Sequence, residues 1–240
     1  YINATDLALP GPMPLVVNRN YSSLNLADNQ FGFGWKLDYM PYLSINSAAT
    51  LIYAAEPDGA VLAYEKTATN ANVYLPTTAN NPQLNNNSTA GIGSVANRLR
   101  NRIDKQVGAD TFYYLTNPDG SKRTFKVMTF TGAVSQTRPC LTRWEDSRGN
   151  FFTFEFGADS SQPDYGQARR VQSSNGNYLG FRFDVYGHII EIYTGDGRRQ
   201  HYDFDQFGDL VKVTLPDASE MQYEYEHKTQ AVNGQQTPYS

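Results

Sequence analysis

The chain has 240 residues, enough to bury a substantial core as one or two domains, and its 17 Tyr and 13 Phe favour the pleated, half-buried surface of β-sheets. A net charge of −4 with dispersed basic residues argues against nucleic acid as a partner, and no apolar run is long enough to span a membrane as a helix. The single cysteine, Cys140, excludes an intrachain disulfide without excluding secretion, since a large β core needs no covalent staple.

Residues 1–45 form a lead-in without the regular turn spacing of the rest of the chain. It starts without a Met, a basic region or an apolar region, so we expect the chain to be a piece of a longer protein whose targeting signal lies elsewhere. We expect the lead-in to cap one end of a sheet. Its two motifs are NRNYSS, with Arg19 and Tyr21, and FGFGW, with Phe31, Gly32, Gly34 and Trp35.

Residues 46–66 are predicted to hold the first hairpin, and residues 67–109 a polar insertion. The hairpin has the turn Pro57-Asp58-Gly59, and Tyr64 follows the glycine by five residues. Within the insertion, residues 67–97 contain eight Asn and no charged residue. A long polar segment of this kind is either a loop or is packed by its own few apolar side chains.

Residues 110–228 repeat the spacing of that first turn. Asp-Gly and Asn-Gly tolerate positive φ at the tip of a tight turn, so they join antiparallel strands and fix the register of the residues that follow. Aromatic side chains in one register form a continuous apolar face. The pairs of turn residue and aromatic residue are Gly120 and Phe125, Gly149 and Phe154, Gly176 and Phe181, Gly197 and Tyr202, and Ala218 and Tyr223.

The last two units repeat most closely. Phe183-Asp184-Val185-Tyr186-Gly187 and Phe204-Asp205-Gln206-Phe207-Gly208 lie 21 residues apart. Together with the other turns, this repetition predicts an all-β protein of consecutive antiparallel hairpins that form a curved or spiralling sheet. Residues 229–240 are expected to be a truncated tail.

The lead-in and the repeats together resemble the Rhs/YD-repeat proteins. The stretch from Asp6 to Leu15, followed by NRNYSS and FGFGW, is similar to the opening of that family, and the units at Asp184–Gly187 and Asp205–Gly208 resemble its YD repeats with Phe in place of Tyr. The resemblance spans residues 5–226 and implies the N-terminal part of a β-shell in a secreted or surface-located bacterial protein, either enclosing a C-terminal toxin or serving in a surface assembly. The family's Asp-Pro self-cleavage motif has no counterpart here.

We predict a non-catalytic scaffold without a cofactor or metal. The histidines His188, His201 and His227 lack the spacing of metal ligands, and Cys140 has no histidine at a spacing typical of a nucleophile. Aspartates such as Asp205 lie at turns, where their side chains bond to nearby backbone amides. That local role is a sufficient reason for their presence.

An alternative function is an adhesion module that binds carbohydrate or protein through exposed tyrosines or the Asn-rich insertion. Tyrosine combines an apolar ring with a polar tip, which suits both kinds of partner. The same tyrosines can instead alternate into the sheet and pack there, and the sequence leaves both readings open. They are Tyr39, Tyr42, Tyr53, Tyr64, Tyr113, Tyr114 and Tyr193.

The open end of a hairpin array predicts a partner, because an unpaired strand edge leaves backbone donors and acceptors unused. We expect that partner to be the remainder of the same polypeptide or a neighbouring subunit. The family resemblance adds an enclosed toxin domain or a cell-surface glycan as further partners.

Overall fold

A computed structural model describes residues 2–23, 28–37, 42–56, 61–81, 98–132, 136–226, 228–232 and 235–239. The first half of its strands are β1 (Ile2–Leu9), β2 (Leu15–Tyr21), β3 (Asp28–Asn29), β4 (Gly32–Phe33), β5 (Trp35–Leu37), β6 (Leu43–Ile45), β7 (Leu51–Ala55), β8 (Val61–Lys66), β9 (Val73–Pro76), β10 (Arg102–Val107) and β11 (Thr111–Thr116). The second half are β12 (Lys122–Phe130), β13 (Gln136–Glu145), β14 (Phe151–Phe156), β15 (Ala168–Ser173), β16 (Tyr178–Phe183), β17 (Ile189–Thr194), β18 (Arg199–Phe204), β19 (Leu210–Thr214), β20 (Glu220–Gln222), β21 (Lys228–Val232) and β22 (Gln235–Tyr239).

The chain forms two compact units, one of Tyr1–Asp38 with Phe156–Ser240 and one of Tyr39–Glu155. In the second unit, β6 to β14 lie in chain order, and in the first unit β15 to β20 do the same. Neighbouring strands within each array pair antiparallel, which confirms the predicted all-β class and the consecutive hairpins. The first unit also contains the sheet β1-β2-β5 and the pair β3-β4.

The second unit buries one face of its strands and also curls. Its buried face carries Ile52, Ile103, Leu115 and Phe125, each fully removed from solvent. The first strand, β6, approaches β13 as well as pairing with β7. A sheet with one apolar face must cover that face, and the approach of β6 to β13 brings together two strands that are far apart in the strand order.

The predicted insertion, residues 67–109, contains two strands of this array. Strand β9 pairs with β8 and β10, and β10 pairs with β11. The buried amide of Asn81 bonds to both the N–H and the C=O of Ala63 at 2.8 Å, so a side chain takes the place of a strand neighbour there. Residues 82–97 of the insertion lie outside the described residues, as does the Pro57–Gly59 turn.

Seven of the described turns between neighbouring strands are of two kinds, which differ in the position of the acidic or amide side chain that accepts backbone N–H groups. In the first kind, an Asp at the first position accepts the N–H groups two and four residues on; Asp146, Asp184 and Asp205 do this. In the second kind, an Asp or Asn at the third position accepts the N–H two residues on; Asp119, Asn175, Asp196 and Asp217 do this. The fourth position has positive φ in both kinds, namely at Gly120, Gly149, Gly176, Gly187, Gly197, Gly208 and Ala218.

In the first unit the two kinds of turn alternate along the chain. Because successive antiparallel strands reverse direction, the turns at Asp184 and Asp205 lie at one end of the strands and those at Asn175, Asp196 and Asp217 at the other. The latter three are 21 residues apart. This spacing is the structural repeat of the unit.

Candidate functional site

The lead-in is anchored in the first unit by a buried ion pair. Arg19 on β2 and Asp6 on β1 have side chains with no exposed surface, and the guanidinium donates from Nε to Asp6 Oδ2 and from Nη2 to Asp6 Oδ1 at 2.8 Å. The Arg19 guanidinium also lies 4.7 Å from the centre of the Trp35 ring on β5. Three strands of the lead-in therefore meet at one arginine, through both charge and ring contacts.

Tyrosines from the repeats complete this anchor. The Tyr202 hydroxyl donates to Asp6 Oδ2 at 3.0 Å, and Arg19 Nη2 donates to the Tyr223 hydroxyl at 3.3 Å. Trp35 Nε1 donates to the Tyr225 hydroxyl at 2.8 Å. The tyrosines lie about two hundred residues after their partners in sequence, so the anchor is a contact between the two ends of the described chain.

Electrostatics within the anchor follow from burial. Burial raises the pKa of Tyr202 well above its usual value, and the charge of Asp6 adds to that shift. Burial also raises the pKa of Tyr225. Burial alone lowers the pKa of Arg19, but its hydrogen bond to Asp6 and the charge of Asp6 outweigh burial and raise it. Tyr202 thus remains a protonated donor beside the charged Arg19, and Tyr225 remains protonated beside Trp35.

The lead-in also bonds to the hairpins at both ends of their strands. At one end, Asn175 and Asn177 donate to Pro10 O at 3.2 and 2.9 Å. At the other end, the backbone N–H of Ile189 donates to Gln30 O at 2.6 Å. The side-chain amide of Asn175 donates the bond to Pro10 O, whereas the carboxylate of an Asp has no N–H to donate. The turn at Asn175 differs in this respect from its counterparts at Asp196 and Asp217.

Close contacts leave no room for a side chain at the two glycines of the FGFGW motif. A Cβ on Gly32 would lie 2.2 Å from the carbonyl oxygen of Gly208, and a Cβ on Gly34 would lie 2.5 Å from the Tyr21 ring. Both glycines also have positive φ. Gly32 therefore permits close packing of the lead-in on the turn at Asp205–Gly208, and Gly34 permits close packing within the lead-in.

The aromatic residues predicted to follow the turns lie mostly in the core. Tyr223 is half-buried and bonds to Arg19. The other five are at most 7% exposed: Tyr64, Phe125, Phe154, Phe181 and Tyr202. The structure brings only Tyr202 and Tyr223 of this set together with the lead-in motif.

The tyrosines considered as a binding surface differ in how far they are exposed to solvent. Tyr64 and Tyr113 are buried, so the reading that places them at the surface is wrong for these two. Tyr42 and Tyr53 are exposed, and Tyr114 and Tyr193 are half-buried. Tyr39 lies outside the described residues.

His188 and Cys140 make local contacts or are buried, and the described residues around them do not form a metal site. His188 Nδ1 lies 3.1 Å from Asp184 Oδ2, and the imidazole stacks on Phe204 with ring centres 4.6 Å apart. Cys140 is buried, and burial raises the pKa of its thiol. Within the described ranges, no group of three or more His, Cys, Asp or Glu is arranged to hold a metal ion. No helix in those ranges is long and apolar enough to cross a membrane.

The fold and the anchor define an array of antiparallel hairpins with an N-terminal lead-in packed onto its later members. A family model described as a domain of unknown function, DUF6531, matches residues 1–64. The match contains the lead-in with Arg19 and Trp35 and continues to Tyr64. No curated protein matches the chain.

Sequence reasoning missed part of the anchor. The sequence places Asp6 only in a family-like stretch, and it does not single out Tyr225. An acidic residue directly before an apolar run within one strand, as in Asp6-Leu7-Ala8-Leu9, is a signal for a buried ion pair. No local pattern identifies the partner of such a residue.

Proposed function

We propose that the chain is a structural wall segment in a larger secreted bacterial protein of the Rhs/YD-repeat type, contributing the N-terminal part of a β-shell. In this role it performs no catalysis. The shell encloses and delivers a toxin domain or forms part of a surface assembly. The match to a domain of unknown function over residues 1–64 is compatible with this assignment.

The observation that carries the proposal is the regular alternation of turns in the first unit. Each strand from β15 to β20 is joined to the next by a turn of fixed geometry, and the turns at Asn175, Asp196 and Asp217 recur every 21 residues. An array of this kind extends by adding one more hairpin, since each new strand pairs with the edge left by the last.

The growing edge of the proposed wall is β20. Among the described residues, β20 is hydrogen-bonded on one side only, to β19. An unpaired edge invites a further strand. We assign that strand to the remainder of the same polypeptide or to a neighbouring subunit.

Hydrogen exchange tests whether β20 pairs with a further strand, as the wall role requires. The amides of Glu220–Gln222 are compared between a protein ending at Ser240 and the intact natural polypeptide. The wall role predicts strong additional protection of these amides in the intact polypeptide, with little change at Lys122–Phe130 inside the second unit. Equal exchange of Glu220–Gln222 in the two proteins would refute an extending wall.

A protease test addresses enclosure. Treatment of the intact polypeptide should leave the strands β15 to β20 and the enclosed segment uncut under native conditions, and mild denaturant should expose both together. Cleavage of the C-terminal segment at its denatured rate under native conditions would overturn enclosure while leaving a surface role in place.

A further inference from the structure

The turn on which the lead-in rests contains an Asn-Gly dipeptide, Asn175-Gly176. The chain has two such dipeptides, and this one lies within the described residues. Both of its residues are exposed, and a Cβ on Gly176 would meet no described atom within 4 Å. An asparagine followed by glycine is chemically labile, because no side chain hinders attack of the glycine nitrogen on the asparagine amide carbon. The turn therefore presents a site for spontaneous deamidation.

Deamidation at this turn needs no reactant other than water. The backbone nitrogen of Gly176 loses its proton and bonds to Asn175 Cγ, the bond from Cγ to Nδ2 breaks, and ammonia leaves with that proton. Water then opens the cyclic imide and leaves a carboxylate, either as aspartate or as the isomer whose backbone runs through the side chain. The N–H of Asn177 donates to Asn175 Oδ1 at 3.1 Å, so a donor already faces the oxygen on which negative charge develops.

Contacts within the turn and to the lead-in hold the site in its unreacted form. The N–H of Gly176 donates to Ser173 O at 2.9 Å. Asn175 Nδ2 donates to Pro10 O at 3.2 Å, and a Cβ on Gly11 would lie 2.5 Å from the same nitrogen. The attacking nitrogen and the leaving amide are therefore both engaged. Reaction requires the turn to open and the lead-in to move away, and such local opening occupies a small part of the folded population.

The product of deamidation fits the turn but not its contact with the lead-in. The equivalent turns carry Asp196 and Asp217, so an aspartate is compatible with this position. A carboxylate has no N–H to donate to Pro10 O, and its negative charge repels that oxygen. Of the two side-chain bonds to Pro10 O, the one from Asn177 Nδ2, at 2.9 Å, would remain. Conversion therefore weakens the contact without removing it.

We propose that Asn175 is a deamidation site that the docked lead-in protects, and that its conversion to a carboxylate weakens the docking irreversibly. When the lead-in moves away, the amide is free to react, and the carboxylate that forms no longer binds Pro10 O. The extent of conversion therefore measures how long the lead-in has been undocked. The inference does not depend on the wall function.

Peptide mapping by mass spectrometry tests the protection. The folded chain is kept at mildly alkaline pH, and the conversion of Asn175 is followed over time beside that of the urea-unfolded chain, which should convert fastest. Gly11→Ala should raise the folded rate about fivefold, because its methyl group displaces the amide from Pro10 O and one hydrogen bond is lost. Gly132→Ala is the matched control and should keep the parent rate, since a Cβ there meets no described atom within 4 Å. Equal rates in the folded and unfolded chains, or in Gly11→Ala and the parent, would overturn protection by the lead-in.

Hydrogen exchange tests the consequence of conversion. Leu9 pairs with Leu15 at the turn that joins β1 to β2. Asn175→Asp should speed the exchange of the amides in this turn about fivefold, the scale of one lost hydrogen bond. Asp217→Asn is the matched control, because Asp217 occupies the same position in its own turn and bonds to Ser219, and it should leave that exchange unchanged. Unchanged exchange in Asn175→Asp, or an equal increase in Asp217→Asn, would contradict the weakened docking.

Discussion

Arg19 and Asp6 form a bidentate ion pair on the adjacent strands β2 and β1, with both side chains entirely removed from solvent. Two buried ions are costly to desolvate, and the cost is offset only when geometry is good and the remaining polar atoms are bonded. Tyr202 and Tyr223 provide hydrogen bonds here and the Trp35 ring packs near the guanidinium, but Arg19 Nη1 is buried without a hydrogen-bond partner among the described residues. We infer that the pair fixes the lead-in in one register on the hairpins.

Arg19→Met is expected to destabilise the protein by about 3–5 kcal/mol, because it leaves the Asp6 carboxylate buried without its cationic partner. Urea unfolding measures the change. The double variant Arg19→Met with Asp6→Leu removes both charges and should recover at least half of the loss. A double variant as unstable as the single one would contradict the ion-pair explanation and would indicate lost packing instead.

Alkaline pH should unfold the protein in part through Tyr64. Burial is the main cause that raises the pKa of Tyr64 to about 12, and the hydrogen bond from Asn101 opposes that shift. In the unfolded chain a tyrosine ionises near pH ~10, so the neutral phenol stabilises the folded state fully below that pH. This contribution is lost as pH rises from ~10 to about 12, the folded value.

Tyr64→Phe removes this ionisation and its hydrogen bond. The variant should be less stable at neutral pH by about 1 kcal/mol, since Asn101 loses a partner, and its unfolding free energy should fall less steeply with pH above ~10. Urea unfolding at a series of pH values gives both quantities. Identical slopes for the two proteins would show that Tyr64 does not ionise on unfolding.

Turn conformation can be tested with glycines that differ in φ alone. A Cβ on Gly197 or on Gly132 would meet no atom of the described residues within 4 Å, but of the two only Gly197 has positive φ, at 89°. Gly197→Ala should therefore cost about 1–2 kcal/mol through backbone strain, whereas Gly132→Ala should be neutral or slightly stabilising. Thermal unfolding of the two variants compares them, and equal effects would exclude φ as the cause.

Ala218 provides the reverse experiment. It occupies the turn position that glycine holds elsewhere, with φ of 66°. Ala218→Gly should relieve the strain and stabilise the protein by about 0.5–1 kcal/mol. A destabilised Ala218→Gly variant would mean that unfolded-chain entropy outweighs the strain at this turn.

Local chemistry explains which features the sequence predicts. The turns at Gly120 and Gly197 depend on the Asp-Gly dipeptide itself, and the burial of Phe125 and Tyr202 follows from a fixed distance to those turns. Such features need no knowledge of the rest of the fold. The all-β class was predictable for the same reason.

Features that join distant segments were not predictable. Arg19 and Tyr223 are 204 residues apart, and nothing near either residue indicates the other. β-Bulges also defeat alternation: the register shifts between Arg182 and Phe183 and again between Asp203 and Phe204, so counting along a strand assigns the wrong face beyond each shift. The strands within residues 67–109 were missed because polar composition outweighed their short apolar runs.

The side chain of Asp205 should stabilise its turn as a hydrogen-bond acceptor. Its Oδ1 accepts the N–H groups of Phe207 at 2.8 Å and Asp209 at 3.0 Å, and Asp209 is only 1% exposed. Asp205→Ala leaves these amides without that acceptor, and water reaches the buried one poorly, so a loss of about 1–2 kcal/mol is expected. Asp205→Asn keeps the acceptor and should recover most of that loss.

Asp203→Ala is the matched control two residues earlier, since Asp203 makes only an exposed ion pair with Lys212, at 3.0 Å. Its removal should cost less than about 1 kcal/mol. Urea unfolding of the three variants ranks them. If Asp205→Asn were as unstable as Asp205→Ala, the negative charge rather than the hydrogen-bond acceptor would stabilise the turn. The turn at Asn175 carries an amide without that charge, so it would then need another source of stability. The hydrogen bond from Asn175 to Pro10 O is the contact available for that role.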